Sequence, residues 1–93
     1  MGNIYSDYKS VNFTDTETSY DVGTAMGTPF VSESTMLYCT QDCLVRFNDS
    51  GGLQHLIPTG IYITFTTKIY RIYVVRSATN GTLRIWSEGS LVR

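Results

Sequence analysis

From Thr35 to Ser87 the apolar side chains recur at every second residue, and no stretch of the chain shows the 3.6-residue period of an amphipathic helix. A period of two sends successive side chains to opposite faces of an extended strand. The chain is therefore expected to be all-β. Turn residues divide the pattern into strands. Thr35–Cys39 and Cys43–Asn48 flank a short Thr40-Gln41-Asp42 turn, and Asn48-Asp49-Ser50-Gly51-Gly52 is a strong turn cluster. Leu53–Ile57 ends at Pro58, Ile61–Thr66 follows the Thr59-Gly60 turn, and Ile69–Arg76 is the longest strand. The Asn80-Gly81 dipeptide predicts a hairpin turn into a returning strand, Thr82–Ser87.

The alternation also assigns faces. Ile61, Ile63 and Phe65 share one, as do Tyr70, Ile72 and Val74, Leu83 and Ile85, and Val45 and Phe47. With Leu37 these form the expected core. Short strands separated by turns indicate a sandwich or barrel of antiparallel strands, either of which leaves few exposed sheet edges. The opposite face carries Tyr62, Tyr73 and Trp86 together with Arg46, Arg71 and Arg84. Aromatics and arginine are enriched in protein interfaces. This face is expected either to meet a partner or to be covered by the chain's own N-terminal segment.

That segment, Met1 to Thr28, differs in composition. It is rich in Ser, Thr, Asp, Gly and Tyr, it lacks a helical period, and Gly23, Gly27 and Pro29 interrupt it. Its large side chains Tyr5, Tyr8, Phe13 and Tyr20 are costly to leave in water. The expectation is an extended arm over residues 1–28, ahead of a sandwich domain over 29–93. The arm is expected to be a docking element ordered by contact with a neighbouring subunit, with folding back over Tyr62, Tyr73 and Trp86 of its own domain as the competing view.

With 93 residues there is one domain, too small to bury a generous core, which favours assembly. Charged residues make up only 16% of the chain, and hydrophobic ones 42%. The formal net charge is −1 and the isoelectric point near 5.6, so the basic excess of a nucleic-acid binder is missing. No apolar run approaches the ~18 residues of a membrane helix, and no secretion leader opens the chain, so a soluble protein made in the cytoplasm is expected.

No catalytic constellation can be assembled. His55 is the only histidine, which excludes an H-E-x-x-H metal site, and no phosphate-cradling glycine motif is present. His55 reads as a strand-end residue. Asp15 with Glu17, and Glu33 with Asp42, read as solvated surface. Two cysteines and one histidine fall short of a four-ligand zinc site. No catalytic residue, cofactor or metal is therefore expected. Cys39 and Cys43 are read as packed thiols, with a disulfide across the intervening turn as the alternative.

The run Asp42-Cys43-Leu44-Val45-Arg46-Phe47-Asn48 is followed by Leu56-Ile57-Pro58-Thr59-Gly60 and Tyr62-Ile63-Thr64-Phe65. Next come Ile72-Tyr73-Val74-Val75-Arg76 and Gly81-Thr82-Leu83-Arg84-Ile85-Trp86-Ser87-Glu88-Gly89. This series, about half the chain, resembles small β-sandwich structural proteins of tailed-bacteriophage virions, the capsid decoration and head or tail accessory proteins. The resemblance implies a jelly-roll-like sandwich that binds an assembled shell or tube and catalyses nothing.

The expected protein is thus a small antiparallel, jelly-roll-like β-sandwich with an extended N-terminal arm. It would be a virion component, a capsid decoration protein first and a tail, baseplate or fibre-base protein second. Its partners would be major capsid or tail proteins and copies of itself, a trimer among the forms. Tyr5, Tyr8, Phe13, Tyr20, Arg46, Tyr62, Arg71, Tyr73, Arg84 and Trp86 are the candidate contact residues. A carbohydrate-binding module using Tyr62, Tyr73 and Trp86 as a stacking platform is the alternative from another class. A single-strand nucleic-acid binder ranks below both.

Overall fold

The computed structural model describes residues 4–24, 27 and 29–92. Ten strands follow in order: β1 (Tyr5–Phe13), β2 (Thr18–Asp21), β3 (Phe30–Val31), β4 (Ser34–Cys39), β5 (Cys43–Phe47), β6 (His55–Ile57), β7 (Ile63–Phe65), β8 (Arg71–Arg76), β9 (Gly81–Gly89) and β10 (Leu91–Val92). No α-helix occurs among the described residues. One four-stranded sheet has the order β1-β9-β4-β7 and the other β2-β8-β5-β6, while β3 and β10 form a separate two-stranded ribbon.

All pairings are antiparallel, and they nest. With β3 and β10 set aside, β1 pairs with β9, β2 with β8, β4 with β7 and β5 with β6. The chain is one long antiparallel ribbon whose tip is the β5–β6 turn. Successive pairs alternate between the two sheets, which is the winding of a jelly roll. The β-sandwich expected from the period-two pattern is the observed fold.

The tip carries the turn chemistry the sequence foretold. Asn48 adopts φ 69°, a left-handed conformation that Asn tolerates better than most residues. Its side chain also ties the tip to the segment before β8. Asn48 Nδ2 donates to the Lys68 carbonyl at 3.0 Å, and the Tyr70 N–H donates to Asn48 Oδ1 at 2.8 Å.

The Asn80-Gly81 pair is not the expected hairpin turn. β8 and β9 lie in different sheets, so the connection crosses the sandwich, and neither residue has the positive φ of a type I′ turn. Gly81 is needed for space. A Cβ there would stand 2.8 Å from the Phe13 ring and 2.9 Å from Gln41 Cβ. The Thr40–Asp42 turn likewise joins strands of opposite sheets.

The segment expected as an arm is extended, and its described strands pair within their own chain. β1 lies along β9 over nine residues, and β2 lies along β8 over four. Residues 1–3, 25, 26 and 28 of that segment lie outside the described residues. Phe13, Tyr20 and Val22 enter the core between the sheets beside Leu37, Val45, Ile72, Val74, Leu83 and Ile85. Each such side chain is worth about 1.5–3 kcal/mol when fully buried. The expected core members Ile63, Phe65 and Phe47 are partly buried against it, whereas Ile61 and Tyr70 are exposed. Ile61 lies ahead of β7, and ahead of β8 it is Ile69, bridged to Ser32, that fills the core in place of Tyr70.

Candidate functional site

The outward side of the β1-β9-β4-β7 sheet carries a row of large side chains. Strand register places Tyr8 beside Trp86, Trp86 beside Met36, and Met36 beside Thr64. The adjacent row places Ser10 beside Arg84 and Arg84 beside Tyr38. The rings meet in sequence. Tyr8 and Trp86 have centroids 5.2 Å apart, Trp86 and Tyr62 5.8 Å, and Tyr62 and Tyr38 4.7 Å. The Arg84 guanidinium stands 5.8 Å from the Tyr38 ring centre, within cation–π range.

Tyr8 is 47% exposed and Tyr62 58%, so the row faces solvent. Tilted aromatic contacts of this kind stabilise by about 0.5–1.5 kcal/mol beyond area burial, which fixes the rings before any partner arrives. The surface is therefore a pre-formed apolar strip with one cation at its end.

The ten candidate contact residues do not form one face. Tyr62, Arg84 and Trp86 share the outside of the first sheet with Tyr8. Arg46 and Tyr73 are register partners in the other sheet, where Tyr73 also faces Ser19. The alternation placed each side chain outside its own strand, but two strands facing outward can belong to opposite sheets. On the second face the arginines are already engaged. Arg71 Nε lies 2.7 Å from Asp21 Oδ1, and Arg46 Nε lies 3.7 Å from Glu17 Oε2. The Tyr73 hydroxyl and the Asp21 carboxylate push the Arg71 pKa further up, so its charge is permanent.

The N-terminal aromatics divide similarly. Phe13 and Tyr20 are buried, and Tyr5 is partly buried and stacks on Phe30 with centroids 5.8 Å apart. Only Tyr8 of the four is exposed. Sequence reasoning missed Met36 and Tyr38, which flank the buried Leu37 and were readable from the same alternation.

Neither His55 nor the cysteines make a reactive site. His55 lies between Phe47 and Phe65, with ring centroids at 5.4 and 5.5 Å. Cys39 and Cys43 are free thiols without solvent exposure. Cys39 Sγ donates to the carbonyls of Ile57 and Pro58, both at 3.3 Å. Burial pushes both thiol pKa values up, against the thiolate a nucleophile needs.

The chain matches no family model and no curated protein sequence. Among solved structures it is similar to a protein described under Bacillus endospore appendages, a family of disulfide-linked pili. The two share a TM-score of 0.57 and 15% identity over 98% of this chain and 91% of the other. A protein of Photorhabdus luminescens gives a TM-score of 0.49 and 13% identity over 89% of this chain and 61% of that one. A Tomato Aspermy Virus chain gives 0.42 and 12% over 95% and 79%. The first likeness is one of fold.

Proposed function

We propose that this chain is a non-enzymatic structural subunit that works inside an assembled particle, and that the particle is a virion whose capsid it decorates. A tail, baseplate or fibre-base position is the alternative within the same class. One observation carries the reading: a pre-packed aromatic strip, Tyr8–Trp86–Tyr62–Tyr38, faces solvent on a sheet otherwise built as a complete sandwich. Apolar strips of this kind on small soluble domains mark contact with other macromolecules. The fold it shares with a pilus protein is compatible with such a role.

The chemistry of the contact is constrained. The sequence has two cysteines and both are buried, so neither thiol is presented for a disulfide between copies. Aromatic packing and strand pairing are what remains.

Sedimentation velocity and negative-stain microscopy test the reading, on the purified chain alone and with capsids or tails of tailed phages. Self-association or co-sedimentation with capsids is the expected result. A monomer that binds neither preparation overturns it. Trp86 is the only tryptophan. A shift of its emission on adding oligosaccharides, without binding to any particle, favours the carbohydrate-binding module instead.

A further inference from the structure

The outer edge of β1 is long, regular and open. β1 pairs with β9 without a bulge over nine residues, it contains neither proline nor glycine, and no described strand lies along its other side. Such an edge is a template for another strand unless something blocks it.

The backbone groups that face this edge can be identified. The Glu88 carbonyl accepts the Glu33 N–H and the Thr82 carbonyl accepts the Thr40 N–H, so the even residues of β9 turn their backbone toward the β4 side. In an antiparallel ladder the odd residues then bond to β1, through Tyr5, Asp7, Lys9, Val11 and Phe13. Ser6, Tyr8, Ser10 and Asn12 are left with N–H and C=O groups directed to the open side.

Two charges interrupt the inward face of β1. Asp7 and Lys9 alternate with the exposed Ser6, Tyr8 and Ser10 and are only partly exposed. Inward charges near an edge normally block strand addition. Here they have opposite signs and sit symmetrically about Tyr8. Among the described residues no ion pair engages Lys9, whose Nζ lies 6.0 Å from the Tyr20 ring centre.

We infer that β1 is a self-pairing edge: two copies of this chain join antiparallel through β1, about a two-fold axis between their Tyr8 residues. In that register Asp7, whose Oδ2 accepts from the Tyr20 hydroxyl and the Gly23 N–H, turns Oδ1 to Lys9 of the second copy, and Lys9 faces its Asp7, in non-hydrogen-bonded pairs where side chains come closest. Ser6 faces Ser10, and Tyr5 faces Val11. The two Tyr8 rings meet on the outer face and join two aromatic strips into one. The register centred on Lys9 opposes two lysines, and that centred on Asp7 opposes two carboxylates. A one-residue slip turns the inward face outward. The charges that reject other strands thus select this one.

The product is a closed, isologous dimer with a continuous eight-stranded sheet. The inference rests on the proposal that the chain works in an assembly and specifies its first contact.

Cross-linking tests the register. Ser6 and Ser10 are exposed, and paired residues lie about 5.5 Å apart between Cα atoms, within disulfide reach. A mixture of Ser6→Cys and Ser10→Cys chains should cross-link under mild oxidation, while each alone should not. Ser10→Pro removes an N–H that serves only the open edge. It should leave the melting curve nearly unchanged and weaken dimerisation at least tenfold, as should Lys9→Asp. Cross-linking of Ser6→Cys alone, or oligomers undisturbed by Ser10→Pro, overturns the β1 contact and leaves the structural-subunit reading intact. A wild-type chain that stays monomeric at every concentration yet binds capsids does the same. A monomer that binds nothing defeats both.

Discussion

The Tyr20 hydroxyl donates to the Asp7 carboxylate, a bond between β2 in one sheet and β1 in the other. The Gly23 N–H reaches the same carboxylate oxygen at 3.2 Å. Both strands are edges, so no ladder joins them. This carboxylate is the polar tie across that open side, and burial followed by Asp7 pushes the Tyr20 pKa up. Tyr20→Phe keeps the ring and removes the donor. Because a bond to a charged acceptor is involved, the expected loss is about 2 kcal/mol. Urea unfolding of the two proteins measures it. A change below about 0.5 kcal/mol would mean the carboxylate is satisfied without Tyr20.

The same tie bears on truncation. Deleting residues 1–28 removes β1 and β2, strips both long ladders of an edge, and takes Phe13, Tyr20 and Val22 from the core. At about 1.5–3 kcal/mol for each buried side chain, the loss is comparable to the whole stability of a small domain. The 29–93 fragment is expected to aggregate or unfold. A far-ultraviolet spectrum and melting curve like those of the full chain would show that the segment is an appendage.

The period-two pattern revealed strands but not sheets. Leu37, Val45, Ile72, Val74, Leu83 and Ile85 are legible as core because they fall on the inward phase of the two-residue period, each flanked by less buried neighbours. The pairing of Tyr8 with Trp86 was not legible, since it joins strands at opposite ends of the chain and nothing local encodes it. Asn80-Gly81 misled for a related reason. The glycine serves the close approach of Phe13, a distant residue, and not a turn. The aromatic strip is half visible in the alternation: Tyr62, Trp86 and Arg84 lie on it, whereas Tyr73, Arg46 and Arg71 belong to the other sheet's outer face. Much of the Asp42–Gly89 series is itself core, with Val45, Ile57, Leu83 and Ile85 all buried.

The buried thiols make stability fall in alkali. Burial comes first among the causes that raise both thiol pKa values in the fold, while in the unfolded chain thiols ionise near about 8.5. Below that pH their contribution is fully present. Above it the unfolded state binds fewer protons than the folded one, so stability drops by up to about 1.4 kcal/mol per pH unit for each thiol. Urea midpoints at pH 8 and pH 10 should show a steep fall for the wild type. A Cys39→Ser, Cys43→Ser double variant should start lower and fall less. Dithiothreitol should leave the wild-type melting temperature unchanged, and a loss of several degrees would reveal a disulfide.

Two exposed residues on opposite faces separate the aromatic strip from surface stickiness in general. Tyr62 is 58% exposed on the outside of the first sheet, and Leu56 is 56% exposed in the second. Leu56→Ser should change folding stability by no more than about 0.5–1 kcal/mol, whereas Tyr62→Ser also gives up two ring contacts and should cost about 1–3 kcal/mol, so association is compared under conditions where both variants are folded. Their effects on assembly should differ. Tyr62 packs against both Tyr38 and Trp86, so its loss breaks the strip at its middle. Tyr62→Ser should weaken association or particle binding at least tenfold, a typical cost of about 1.4 kcal/mol for an aromatic anchor. Leu56→Ser should leave association within a factor of two or three. Equal losses from both, measured by sedimentation equilibrium at matched concentrations, would remove the strip's claim to be the contact surface.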